Sequence, residues 1–176
     1  MNRGPTSVKV GKLALLLLIG VILQTVAVSR VAVLGVSADV YLILVVLVAL
    51  ANGPLVGVVF GFCAGLLADV LFLEPIGLRT VIYLAAGYAV GRYGEELGLT
   101  GVWSAVLATA VVSVVAGVGY GVMQFVIGPQ QGFLTMMRAQ VLPQAVFNGL
   151  LAAPLYLGLI KLRLVGREAL PGPSYR

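Results

Sequence analysis

Gly53, Gly57, Gly61 and Gly65 fall at every fourth position, and Asp69 continues the step, in a stretch that is almost wholly apolar up to Leu73. In water each such glycine weakens a helix by about 1 kcal/mol relative to alanine. In a bilayer the backbone must satisfy its own hydrogen bonds, so the helix is enforced, and glycine lets a second helix come close. The run therefore reads as a membrane helix with a smooth groove ending in one acidic side chain. Steps of four drift by about 40° each around the axis, so the glycines form a slanted ridge. Two occupants fit that ridge: another span of the same chain, or a helix of a partner protein. Packing within the chain is the simpler reading.

Composition agrees with a membrane setting. The chain is 61% hydrophobic and 10% charged, whereas soluble domains carry about 25% charged residues. A single transmembrane domain over 13–160 is expected, with a basic N-terminus at 1–12, a basic and disordered tail at 161–176, and no soluble catalytic module. The net charge of +5 sits at the flanks of the apolar runs. That is a topology and headgroup signal, not a nucleic-acid stripe.

Chemistry is constrained by what the 176 residues lack. There is no histidine and one cysteine, Cys63, which excludes an intramolecular disulfide and the usual zinc and haem ligand sets. Cys63, between Phe62 and Ala64, reads as a small packing residue. Asp39 and Asp69 are the only aspartates, with no converging carboxylates for a two-metal site. No phosphate-binding loop or Gly-x-Ser-x-Gly elbow occurs. No catalytic residue, metal or cofactor is expected; a small membrane transferase is only a remote possibility, and the chain reads as a non-enzyme.

About six spans are expected, at about 13–35, 39–51, 55–72, 78–91, 102–127 and 142–160. The basic lead, apolar run and Ala27-Val28-Ser29 imitate a signal peptide, but the run is long and apolar sequence resumes after Arg30, so a retained span is favoured. Asp39 can cap the second span. That span is short against the usual requirement of about 20 residues, which fits local bilayer thinning or a partial helix covered by its neighbours. Asn52-Gly53-Pro54 is a turn signal, with Pro54 suited to the first position of the next helix. Arg92 to Thr100 reads as a charged connection. Gly117, Gly119 and Gly121 mark a place where the fifth span bends or packs closely. Residues 133–140 read as an interfacial segment, and Pro143 and Pro154 interrupt the last span. With both termini cytoplasmic, eight of the 11 basic residues lie inside and Arg30, Arg79 and Arg138 outside, obeying the positive-inside rule.

Polar side chains inside the spans carry the rest of the expectation. Asp69, Glu74 and Arg79 bracket one turn, and a structural ion pair between Asp69 and Arg79 is favoured over a substrate or proton site. Gln144 and Asn148 are buried if the last run spans the membrane. The candidate structural polar residues are Asp39, Asp69, Glu74, Arg79 and Asn148. The candidates for helix packing or partner docking are Gly53, Pro54, Gly57, Gly61 and Gly65.

Taken together, Ala38-Asp39-Val40, the run from Asn52 to Gly57, Gly61 to Asp69, Pro75-Ile76-Gly77, Tyr83, and Phe147 to Leu151 with Pro154-Leu155 resemble the bacterial rod shape-determining protein MreD family. Residues 36–93 carry the specific part; the first and fifth spans match only in hydrophobic character. Ala38 stands where family members usually place proline, and Asn52 where many have a basic residue. The resemblance implies a non-enzymatic component of the elongasome in the bacterial cytoplasmic membrane. It implies MreC, RodA, a penicillin-binding transpeptidase and, indirectly, MreB as partners, with membrane lipid around the chain and no small-molecule substrate or nucleic acid. The family is similar in its six-helix plan to the substrate-binding subunits of energy-coupling-factor vitamin transporters, and that function is the alternative. Those subunits dock through small residues spaced by four in the first helix, and residues 13–28 contain no Ala-x-x-x-Ala pair.

Overall fold

A computed structural model describes residues 5–30, 38–72, 75–127 and 140–161. Apolar runs with no water to pair their backbone must pair it internally, and the described residues accordingly form five helices and no strand. These are α1 (Pro5–Arg30), α2 (Val40–Leu71), α3 (Leu78–Glu96), α4 (Gly101–Ile127) and α5 (Leu142–Lys161). Val40–Leu71, Gly101–Met123 within α4, and Leu142–Lys161 are long and apolar enough to cross a membrane; the apolar part of α1, Gly11–Thr25, is shorter.

α2 is one element by hydrogen bonding and two by geometry. Gly53 alone leaves the helical region, with φ 83° and ψ −179°, a conformation that side chains with a Cβ rarely adopt. Pro54 restarts the helix where its missing N–H costs nothing. The Asn52 side chain donates to the Val48 carbonyl at 3.0 Å, closing the last turn before the break. A straight helix of this length would measure about 48 Å, well beyond the hydrocarbon thickness of about 30 Å. Instead the chain doubles back: a Cβ at Gly57 would lie 2.8 Å from that of Ala49. Asp39 meets the Arg79 side chain while Asp69 takes the Arg79 N–H. The arms 40–52 and 54–71 thus run antiparallel.

The first arm is the core of the protein. From Val40 to Ala49 every residue is buried on all faces, which is what a helix apolar all round requires. Its shortness follows, because a helix jacketed by its neighbours need not match the lipid. α1 lies against it through Leu16 and Gly20, the latter 2.9 Å (from an added Cβ) to Leu44. The second arm is apolar on both sides. Its outer face presents Leu55, Val59, Phe62, Leu66 and Val70, with Cys63 also exposed.

The inner face of the second arm is the glycine ridge, and α3 fills it. An added Cβ at Gly57 would sit 2.5 Å from the Gly87 carbonyl oxygen; at Gly61 it would strike the Tyr83 carbonyl, and at Gly65 the Cα of Thr80. Gly91 on α3 returns the contact, a Cβ there lying 2.5 Å from the Pro54 Cα. The partner positions climb α3 as the ridge descends the second arm, so the two helices pack antiparallel, backbone on backbone. α4 and α5 pair separately, with Gly149 facing Ala110 and Val106, and close the bundle against the first arm.

Several boundaries differ from the sequence reading. α3 does not stop at residue 91 but runs to Glu96, because Arg92 and Glu96 pair one turn apart at 2.7 Å and carry the helix past its apolar part. α4 passes through Gly117, Gly119 and Gly121 without interruption, and of the two expectations there, a bend or close packing, Gly117 meets the second: an added Cβ would lie 2.7 Å from Val141. α5 likewise continues through Pro154, as membrane helices tolerate. Residues 133–139 of the expected interfacial segment 133–140, and the tail from 162 onward, lie outside the described residues.

Replacing Gly61 by leucine drives a side chain into the α3 backbone and is expected to destabilise the folded protein by about 3 kcal/mol or more. Gly119→Ala, where nothing lies within 4 Å, is the matched control. Thermal unfolding of the detergent-purified variants, followed by size exclusion, compares the two; equal melting temperatures would refute the backbone contact.

Candidate functional site

A helix whose first turn is buried has N–H groups with no water to receive them. α2 begins in that position, and side chains from the surrounding helices supply the acceptors. Asp39 is the N-cap: its Oδ1 accepts the Leu42 N–H at 3.1 Å, and its carbonyl accepts the Ile43 N–H at 3.1 Å. The Asp39 N–H donates to Asn148 Oδ1 of α5 at 2.9 Å. The Val40 N–H donates to Gln24 Oε1 of α1 at 2.8 Å, while Gln24 Nε2 donates to the Ala38 carbonyl at 3.0 Å. Asn148, fully buried, donates an Nδ2–H to Ser113 Oγ of α4 at 2.9 Å. Four helices thus meet at one buried helix start.

α3 adds charge to this cluster. The Tyr83 hydroxyl donates to Asp39 Oδ2 at 2.5 Å, and Arg79 Nη1 lies 3.4 Å from both that oxygen and the Tyr83 hydroxyl. The Arg79 guanidinium sits 4.7 Å from the Phe72 ring centroid and 5.3 Å from that of Tyr120, both within cation–π range. The Arg79 and Asp39 side chains are 20% and 9% exposed, and breaking a largely buried pair by removing one partner is more damaging than the pair is stabilising.

Asp69 works at the same end of the bundle on a different helix. α3 starts after Gly77, which has φ 104° and no side chain with which to cap. Asp69 does that work from across the turn. Its carboxylate accepts the N–H groups of Gly77 at 2.8 Å, Arg79 at 2.9 Å and Thr80 at 3.3 Å, and the Thr80 hydroxyl at 2.7 Å. It is fully buried, and the positive end of the α3 dipole points at it.

The expected ion pair between Asp69 and Arg79 is therefore corrected. Asp69 takes the backbone of Arg79, while the side chain of Arg79 reaches Asp39. The doubled-back α2 brings Asp39 to the end where Asp69 already has its oxygens engaged by four donors. Of the remaining polar candidates, Asn148 lies in the cluster and Glu74 lies outside the described residues. The ridge residues Gly57, Gly61 and Gly65 face α3; Gly53 and Pro54 form the turn at the opposite end. Gln24, Thr80, Tyr83 and Ser113 join the site without being among the candidates of the sequence. The signal that finds them is a hydrogen-bonding side chain inside an apolar span, which rarely lacks a purpose. Among the described residues no group of His, Cys, Asp and Glu is placed to hold a metal.

An apolar all-α bundle, glycine-packed and pinned by polar side chains inside its spans, defines a helical membrane protein without a metal-binding cluster among its described residues. The rod shape-determining protein MreD family model matches residues 8–164, and the chain belongs to that family: it is a membrane protein of the cell-shape class. No curated protein and no solved structure matches it.

Two outcomes follow from the cluster. Asp69→Ala strips the cap from α3 and leaves buried donors unpaired, with an expected loss of about 2–4 kcal/mol in unfolding free energy. Detergent thermal melts read this, and an unchanged melt would deny Asp69 its capping role. The Tyr41 hydroxyl is buried with no hydrogen-bond partner among the described residues, so Tyr41→Phe is expected to be neutral or to raise the melting temperature, since it removes an unpaired polar group.

Proposed function

We propose that the chain is a non-enzymatic scaffold or regulator of lateral peptidoglycan synthesis, working in the bacterial cytoplasmic membrane with MreC, RodA and a penicillin-binding transpeptidase, and through them with MreB. The match to the MreD family over residues 8–164 is the observation that carries this reading. The polar side chains of the spans support it too, because capping and packing account for Asp39, Asp69 and Asn148 without a reaction.

The same reading gives six crossings, with the two arms of α2 counted as separate passes and both termini cytoplasmic. Arg92 and Lys161 then fall on the inner side and Arg79 on the outer, in keeping with the positive-inside rule. The glycine ridge is taken up by α3, so partner helices meet the chain on its lipid-facing surfaces. α4 offers one, with Trp103, Leu107, Val111 and Val115 spaced by four and well exposed. The alternative, a vitamin-transporter substrate subunit, ranks second because residues 13–28 lack the small-residue docking pair.

Depleting the protein in its own cells is expected to turn rods into rounded cells, and the tagged full chain is expected to recover MreC and RodA from solubilised membranes. Gly61→Leu should lower that recovery through loss of the folded bundle, which size exclusion separates from loss of docking. Cells that stay rod-shaped under depletion, with neither protein recovered, would overturn the proposal.

A further inference from the structure

Capping alone would call for a filled polar cluster, yet a cavity of about 240 Å³ opens beside it. Asp39, Arg79, Tyr83, Ser113, Gln140 and Asn148 are among its walls. One water in the liquid takes about 30 Å³, so the space suits several waters or one small molecule. Polar groups at membrane depth are costly unless they are used, and here helices α2 to α5 all bring polar side chains to one space.

The charges on the walls limit the guest. The described lining holds one carboxylate and one guanidinium, and these face each other at 3.4 Å, with the Tyr83 hydroxyl bound to the carboxylate. A guest with a net charge would enter a poorly solvated space where the opposite charge is already engaged, an unfavourable exchange. The amides of Gln140 and Asn148 and the hydroxyl of Ser113 instead suit donors and acceptors without net charge. Ser113 Oγ accepts from Asn148 Nδ2, which leaves its own proton to donate. Tyr120 adds an aromatic wall.

We propose that this cavity is a binding site for a small uncharged molecule rich in hydrogen-bonding groups: an amide or a polyol. The resemblance to the scaffold family implies no small-molecule substrate, so the site goes beyond the scaffold reading and does not depend on it.

The test uses the full chain in detergent with Cys63→Ala and one cavity cysteine, Ser113→Cys, or Ala116→Cys on the same wall, which has no polar partner to lose. Each is labelled with three methanethiosulfonates of similar size: hydroxyethyl (neutral), trimethylammonioethyl (cationic) and sulfonatoethyl (anionic). Rates are normalised to Thr100→Cys in the exposed turn after α3. The neutral reagent is expected to react about tenfold faster than either ion, in line with the cost of an unpaired charge in a poorly solvated site. Acetamide and erythritol are expected to slow that reaction, and sodium acetate at equal concentration is not. Equal normalised rates, a charged reagent in the lead, or protection by acetate alone would overturn the proposal. So would a folded protein whose cavity cysteines react with nothing, which would make the space a sealed void, or one that the neutral probes fail to protect. Loss of rod shape on depletion with a negative labelling result would leave the scaffold reading standing and remove only this site.

Discussion

The fold depends on how one buried helix start is satisfied. From Val40 to Ala49 the first arm of α2 has no face toward lipid or water, so its leading N–H groups must find acceptors inside the protein. Asp39, Gln24 and Asn148 supply them, from α2 itself, α1 and α5. Apolar packing in a bilayer is weakly directional, because lipid tails are as apolar as leucine. Hydrogen bonds to a fixed set of N–H groups are directional. The arrangement of α1 and α5 around the central arm is therefore specified at this one point more firmly than anywhere along their apolar faces.

The glycine ridge and Asp69 form one device. Descending the second arm, Gly57 meets Gly87, Gly61 meets Tyr83 and Gly65 meets Thr80. The next step brings Asp69 to Gly77 and the first N–H groups of α3. The spacing that lets the backbones touch also sets the carboxylate at the helix start it caps. Close packing and capping enforce the same register, so a slip between the two helices would lose both.

Much of this was legible in the sequence, and the part that was not has a physical cause. The membrane class, the break at Gly53-Pro54 and the cap at Asp39 follow from local rules, because each depends on residues a few positions apart. The ridge was visible as a spacing, but its occupant was not, since Gly87 and Thr80 make no pattern without the register that pairs them. The expected Asp69–Arg79 ion pair fails for the same reason. Closeness in sequence suggested a side-chain bond, whereas the doubled-back α2 places Asp39, distant in sequence, nearer to the guanidinium. Gln24 and Ser113 carried the general signal of a polar group in an apolar run, yet nothing local says which backbone atom or side chain each will meet.

Arg79 joins the two systems. Its N–H is bound by Asp69 and its guanidinium by Asp39, so one residue links the cap of α3 to the start of α2. Both ends of the doubled-back α2 and the beginning of α3 are thereby held relative to each other by charged hydrogen bonds, which are stronger than neutral ones. The cavity walls from α2 and α3 are built on this junction. A binding surface is selective only when its polar groups are held in place by a supporting shell, and here that shell consists of the same contacts that fold the core. Rigidity at this end is thus a product of satisfying buried helix starts, and the cavity inherits it.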